Sequence, residues 1–476
     1  MRPAKNARLG VVAVVACAGL TAALSAWCQT PAVTPEQREF RAIYQELVEI
    51  NTTNSSGSCA EAAEAMARYL REAGLPPSDV QVVVPPGGPT KGNLVAGYRG
   101  SGTKRPLLLL AHLDVVEAKR EDWDRDPFKL IEENGYFYAR GSFDDKAMAA
   151  IFVANLIRYR HENYRPDRDL ILALTCDEEL ISLFNGVDFL LRHHRSMIEA
   201  ELALNEGASG MLDQNGNYVR MTIQAGEKVV QTYQLEVNNP GGHSALPVKD
   251  NAIYRLADGL SRLGKFDFPA RLSDTTRAYF ERMSSIESGQ VAADMKAILR
   301  DPPDPGALAR LSQNPFNNAT LRTTCVATML QAGHAPNALP QRAQATVNCR
   351  VLPDDSIDEV YRTLVRVLAD EQIKVTAVNA PQPSPLPPFD AELSGAVEQV
   401  SAALWPGVPV VQTLLPAATD GRFLNNAGIP TYGVTGLFRD PDGSGVHGLN
   451  ERIRARSLYQ GQEFLFRVVK VLGGGG

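Results

Sequence analysis

Apolar side chains recur along this chain in two rhythms. Residues 107–111, Leu107-Leu108-Leu109-Leu110-Ala111, and residues 170–175 are apolar runs too short for ordinary helices and fit strands buried on both faces. Residues 35–50, 59–73, 147–160 and 185–194 instead carry apolar positions at helical spacing. The second of these helices opens after the Asn54-Ser55-Ser56-Gly57-Ser58 cluster and closes at Gly74. Further strands are predicted at 80–84, 93–98 and 201–204. Strands alternating with helices predict an α/β layer with a mixed, largely parallel sheet flanked by helices.

The rhythm changes at about Val229. Residues 230–237 alternate like a half-exposed strand, and Asn238-Asn239-Pro240-Gly241-Gly242 makes a turn. A helix at 251–263 and a polar helical stretch follow, then strands at 324–330, 343–351 and 374–378 with a helix at 357–370 between the last two. That β-α-β-β-α-β order, with an insertion, is the ferredoxin-like pattern. The Pro-rich segment 381–388 leads back to another helix, the apolar stretches 408–415 and 429–434, and the loop carrying His447. A chain of 476 residues exceeds the size of a single core. The expected layout is a catalytic domain in two pieces, 29–228 and 386–476, interrupted by a smaller α+β domain at 229–385.

Composition adds little to the fold, since 44% apolar and 21% charged residues are ordinary. The N-terminus adds more. Arg2, Lys5 and Arg8 precede a charge-free stretch from Leu9 to Trp27, the pattern of a secretory signal over residues 1–28, with a transmembrane anchor as the alternative. Val14-Val15-Ala16-Cys17 loosely resembles a lipoprotein box, so lipid anchoring competes with ordinary export to the periplasm or medium. Losing those three cations takes the formal charge from −6 to −9. No basic stripe remains for nucleic acid or an anionic membrane, which points to a small-molecule partner. Cleavage at Cys28 leaves Cys59, Cys176, Cys325 and Cys349, none in a C-x-x-C pair. They are expected as buried free thiols, with a Cys325–Cys349 disulfide as the alternative.

The candidate chemistry gathers where the apolar runs end. His112-Leu113-Asp114 closes the first buried strand, and alternation puts both polar side chains on one face. Asp177-Glu178-Glu179 closes the second, Glu206 follows the short strand at 201–204, and Asp144 lies in the turn Arg140-Gly141-Ser142-Phe143-Asp144-Asp145-Lys146. Each piece has a plainer reading: a hydrogen-bonded pair, a solvated helix start, a charged turn. What they share is position, because ligands bind at the carboxyl ends of strands in open α/β sheets. Adjacent residues point different ways, so one of Glu178 and Glu179 is free to bind metal while the other acts as general base. Spacing leaves open which.

Taken in order, His112-Leu113-Asp114, Trp123 with Pro127-Phe128, Arg140-Gly141 through Asp144 and Lys146, and Asp177-Glu178-Glu179 are matched by a known family. Asn205-Glu206-Gly207, Gly241-Gly242-His243-Ser244, Asn337 with Pro340, Arg350 with Pro353, Thr419-Asp420-Gly421 and His447-Gly448-Leu449-Asn450-Glu451 continue the series. From about residue 36 to 472 the chain resembles the di-zinc peptidases and amidohydrolases that include glutamate carboxypeptidase, aminoacylase, carnosinase and succinyl-diaminopimelate desuccinylase. The resemblance implies two Zn²⁺ ions per chain, one held by His112 and Glu206, the other by Glu179 and His447, with Asp144 bridging. Glu178 is then the general base and Asp114 supports His112. It also implies that the inserted domain serves as a lid and dimerisation domain, that His243 stabilises the developing oxyanion, often across a homodimer, and that Arg350 and Asn337 bind the substrate's carboxylate or carbonyl.

Three departures mark this chain: Asn205 replaces a frequent Asp, Asp145 stands where many members have Met, and the Gly often found soon after the paired glutamates is absent. The first leaves the glutamate ligand intact, and the other two bear on substrate preference more than on catalysis. His161, His193, His194 and His334 are expected to be structural. The reading is a hydrolase of small peptides, carboxypeptidase- or dipeptidase-like. The alternatives are an N-acyl-amino-acid amidohydrolase and, outside enzymes, a binding protein on the same scaffold.

Overall fold

The structure is a computed structural model that describes residues 34–180 and 184–475. The signal reading over residues 1–28, including Cys17 and Cys28, lies outside the described residues. Among the described residues no helix is long and apolar enough to cross a membrane.

The main sheet has ten strands. At its centre Leu107–His112 lies between Leu170–Thr175 and Leu202–Asn205, and Thr431–Gly433 flanks the latter, all parallel. Asn93–Tyr98 and Val80–Val83 extend one side with antiparallel pairing. Tyr218–Glu227 and its neighbours extend the other. The period of two explains the run of leucines. Leu107, Leu109 and Ala111 join the larger core with helices Pro35–Glu49, Cys59–Glu72, Lys146–His161 and Ala455–Gly473, while Leu108 and Leu110 face Val187, Leu190 and Leu424. Helix starts follow side-chain capping: Thr34 and Gln37 form a capping box, and Ser58 accepts from the backbone of Glu61.

A second sheet stands apart from the first. Its four antiparallel strands run in the spatial order Thr324–Ala332, Arg342–Val351, Val229–Asn238, Lys374–Ala377. Helices Ala252–Leu263 and Ile357–Leu368 pack on it around Leu235, Val237, Leu256, Val347 and Leu364. This is the ferredoxin-like arrangement that the alternation predicts. The polar helical stretch resolves into four helices between Asp274 and Leu321. They bury Tyr279, Phe280, Met283 and Ile298 in a core that includes Val411 of the main sheet.

The free-thiol expectation is overturned. Cys325 and Cys349 are directly opposed across two strands with Cα atoms 4.0 Å apart and form a disulfide. Cys59, the first residue of its helix, bonds to Cys176, one residue beyond the strand Leu170–Thr175, with Cα atoms 6.0 Å apart. That second pair is separated by 117 residues. Only the tertiary fold brings a helix start against this strand end.

Candidate metal centre

The strand that delivers His112 is buried at every position, so the imidazole is placed by a rigid element. Its Nδ1 lies 3.0 Å from the backbone carbonyl of Asp114 and 3.6 Å from that residue's carboxylate. A carbonyl only accepts, so Nδ1 carries the proton and the lone pair of Nε2 points outward. It faces Asp144 Oδ1 at 3.2 Å. Either a proton or a metal ion on Nε2 satisfies that contact.

The second imidazole repeats the arrangement from the other side. His447 Nε2 is 3.2 Å from Asp144 Oδ2 and 2.9 Å from Glu179 Oε1. Asp144 therefore offers one oxygen to each histidine. Two groups of donors result, His112 with Asp144 and Glu206, and Asp144 with Glu179 and His447, each within 4.8 Å. A tetrahedral zinc site with bonds near 2.0–2.1 Å has donor–donor edges of about 3.3 Å, so these separations fit divalent cations.

Electrostatics favour the same reading. Burial raises the Glu178 and Glu206 carboxyl groups well above the ordinary range, and neighbouring carboxylates, Glu206 and Asp144 respectively, add to it. Burial also raises Asp145. Hydrogen bonds to Asp144 and Glu179 push His447 up to about 10. The basic groups nearby are engaged elsewhere: Lys91 Nζ sits 2.7 Å from Asp177, and Lys146 Nζ donates to Ile50 O at 2.6 Å. The pocket thus concentrates negative charge that two metal ions would offset.

Three carboxylates outside the donor groups hold the centre's backbone in place. Glu451 accepts from Phe143 N and Asp144 N through Oε1, and from Arg140 Nη1 and Gly141 N through Oε2. Arg140 also donates to Gly448 O, so the Asp144 turn and the His447 loop are tied together. Gly141, at φ +78°, is required in that turn because a Cβ would meet Val115 at 2.8 Å. Asp114 accepts from Glu178 N at 3.2 Å and Glu179 N at 3.1 Å. Asp420, fully buried within its helix start, accepts from Thr175 Oγ1 and Asn185 Nδ2, and Asn185 also donates to Asp177 O. Asp177 and His447 both adopt left-handed backbone, φ +66° and +58°, and such conformations are kept where surrounding bonds enforce them. Glu451 and Asp420 stand in the sequence motifs, where residue order alone assigns them no role. Their signal is that each is an acid flanking a candidate ligand loop.

The remaining candidates lie on the second sheet's side. Burial and Arg422 lower the pKa of Arg350, and the charge of Glu178 opposes that, which puts the guanidinium within the field of the centre. Its Nε donates to Asn348. His243 and Asn337 are exposed and are not brought to the centre within one chain. They meet each other on a two-stranded ribbon, where Gly242–His243 pairs with Ala338–Leu339 and Ser244 N donates to Asn337 O.

A mixed sheet that brings two groups of metal-capable donors together around one shared aspartate is the frame of a dinuclear metal centre. Residues 108–471 match peptidase family M20/M25/M40, and the chain belongs to that family. Mouse N-fatty-acyl-amino acid synthase/hydrolase PM20D1 is 29% identical over 377 residues, covering 77% of this chain and 74% of that protein. The M20 metallo-carboxypeptidase Sso-CP2 of Sulfolobus solfataricus has the same fold, with TM-score 0.69 at 18% identity over 91% of this chain and 99% of that one. So does the dinuclear metal-binding M20 peptidase YXEP of Bacillus subtilis, with TM-score 0.57 at 12% identity over 92% and 98%.

Proposed function

We propose that this chain is an exported two-zinc hydrolase that cleaves the amide bond of small peptides bearing a free carboxylate, in the manner of a carboxypeptidase or dipeptidase. The observation that carries the reading is Asp144, whose two carboxylate oxygens each face a different histidine at 3.2 Å. His112 and Glu206 would hold one ion, Glu179 and His447 the other, with Asp144 between them. Bound there, the ions would supply Lewis acidity toward a water and the scissile carbonyl.

The chain's own residues do the rest. Glu178 takes the proton of the attacking water and returns it to the departing amine, one carboxyl group serving as base and then acid. Asp114, gripping the amides of Glu178 and Glu179, keeps base and ligand in separate positions. Arg350 pairs with the substrate's carboxylate through its guanidinium fork, and Asn337 reaches the substrate from the ribbon of a second chain. His243 donates to the oxyanion as it forms. Its exposure, together with exposed Val326, Met329 and Leu330 on the edge strand Thr324–Ala332, supports a homodimer in which the ribbon completes the partner's site. Two disulfides suit an oxidising compartment, in line with export.

A second reading is favoured by the mouse relative: an N-acyl amino acid presents the same amide and carboxylate. A panel of dipeptides and N-acyl amino acids, assayed with zinc and with chelator, separates the two. Turnover of neither class by zinc-loaded protein would reject both.

A further inference from the structure

The two sheets are joined by two crossings of the chain, and both converge on one buried carboxylate. Strand Tyr218–Glu227 passes into Val229–Asn238 with only Lys228 between them. At that junction Glu227 is completely buried. Its Oε1 accepts from Ser384 Oγ on the returning segment at 2.8 Å. Its Oε2 accepts from Thr419 N at 2.7 Å and Thr419 Oγ1 at 2.9 Å, on the catalytic side.

The surroundings restrict the same joint. Lys228 N donates to Leu415 O and Ala417 O, and its Nζ donates to Arg322 O at the end of the helical insertion. Asn379 bridges the crossings once more, donating to Val230 O and accepting from Thr232 N. Gly226, at φ +146°, lets the returning chain close in, since a Cβ there would meet Leu386 at 2.3 Å.

From Thr419 the connections run into the metal centre. Thr419 Oγ1 also accepts from Asn205 Nδ2 at 3.2 Å, next to Glu206. The following residue, Asp420, holds Thr175 and Asn185 at the foot of the Asp177-Glu178-Glu179 turn. A buried carboxylate that loses one of its donors is left less well compensated, so a change at either crossing is felt at the other. None of the roles assigned to the metal centre uses Glu227.

We infer that Glu227 is a positioning residue: it sets the angle between the smaller unit and the main sheet and transmits that angle to Glu206 and the Glu178 turn. This rests on the reading of the smaller unit as a lid over a hydrolytic site. The test uses full-length zinc-loaded protein carrying Ser384→Ala, Glu227→Gln or Glu227→Ala, with hydrogen–deuterium exchange, metal content and kcat measured on each. Ser384→Ala removes a single hydroxyl and decides the matter if Glu227→Ala does not fold. It is expected to speed exchange at residues 228–232 and 379–388 and to lower kcat about tenfold at unchanged metal content. Glu227→Gln, which keeps the volume and one acceptor, is expected to recover part of what Glu227→Ala loses. Exchange that changes without kcat, kcat that changes without exchange, or a loss that tracks metal content would each overturn the inference. An inactive wild-type protein would instead reject the hydrolase reading, while exchange would still report on the hinge.

Discussion

Two regions of this molecule carry its candidate chemistry in opposite ways. Around Asp144, loops are held by carboxylates that each accept two or more donors: Glu451 grips the Asp144 turn, Asp114 the Glu178 and Glu179 amides, Asp420 the foot of their loop. On the two-stranded ribbon, His243 and Asn337 are exposed, and among the described residues the His243 ring is engaged locally, by Ala245 N. The contrast teaches where rigidity is needed. Groups that must keep like charges a few ångströms apart are fixed by the fold itself. On the proposed reading, the groups that meet substrate are left to be completed by closure or by a second chain.

The comparison breaks most severely at Glu178. Glu178→Ala is expected to cut kcat by about 10⁴-fold while metal content stays at the wild-type level, measured by steady-state kinetics and metal analysis in parallel. Near-normal kcat would remove Glu178 as the base. At the ribbon, His243→Ala should cost about 10²-fold in kcat, again with metal retained. Mixing His243→Ala and Glu178→Ala chains should restore activity if His243 acts across a dimer, because one site in each mixed dimer is then intact. No recovery in a mixture shown to exchange subunits would place His243 in its own chain's site.

A middle-sized effect tests the supports. Glu451→Gln leaves every proposed ligand in place yet removes the charge that grips Arg140 and the Asp144 turn. Metal affinity should fall about 10- to 100-fold, read by competition with a chelator. Unchanged affinity would show that the turn holds itself.

The smallest effect lies at the root of the second sheet. Burial lowers the amine of Lys228 to about 7 from an ordinary value of 10.5. Through this amine the folded state binds fewer protons than the unfolded state between those pH values, so Lys228 contributes a rise in stability with pH across that window, against the fall contributed by His447, which is pushed up to about 10. Lys146, lowered likewise to about 7, acts in the same direction as Lys228. Lys228→Met should shift the slope of stability against pH downward relative to the wild type, measured by denaturant melts of both proteins from pH 7 to 10.

Much of this was legible from residue order alone. The buried runs at 107–111 and 170–175 become adjacent parallel strands, and the alternation after Val229 becomes a four-stranded antiparallel sheet. Local rhythm carries such information because a strand's burial repeats every two residues. Other features depend on distant partners. The strand Tyr218–Glu227 mixes Arg220, Thr222 and Gln224 with apolar residues, and only its place in the sheet buries its second half. Cys59 and Cys176 meet because a helix start lies against a strand end. Glu451 and Asp420 look like surface acids in sequence, and their roles become visible only when the backbone amides and side chains they hold are brought to them.

The central claim is that Asp144 joins two metal positions in one site. Metal analysis of wild-type and Asp144→Asn protein, after dialysis against trace zinc, tests it most directly. The expected result is two zinc ions per wild-type chain and loss of both together in the variant. A single ion in the wild type, or loss of only one in the variant, would contradict it.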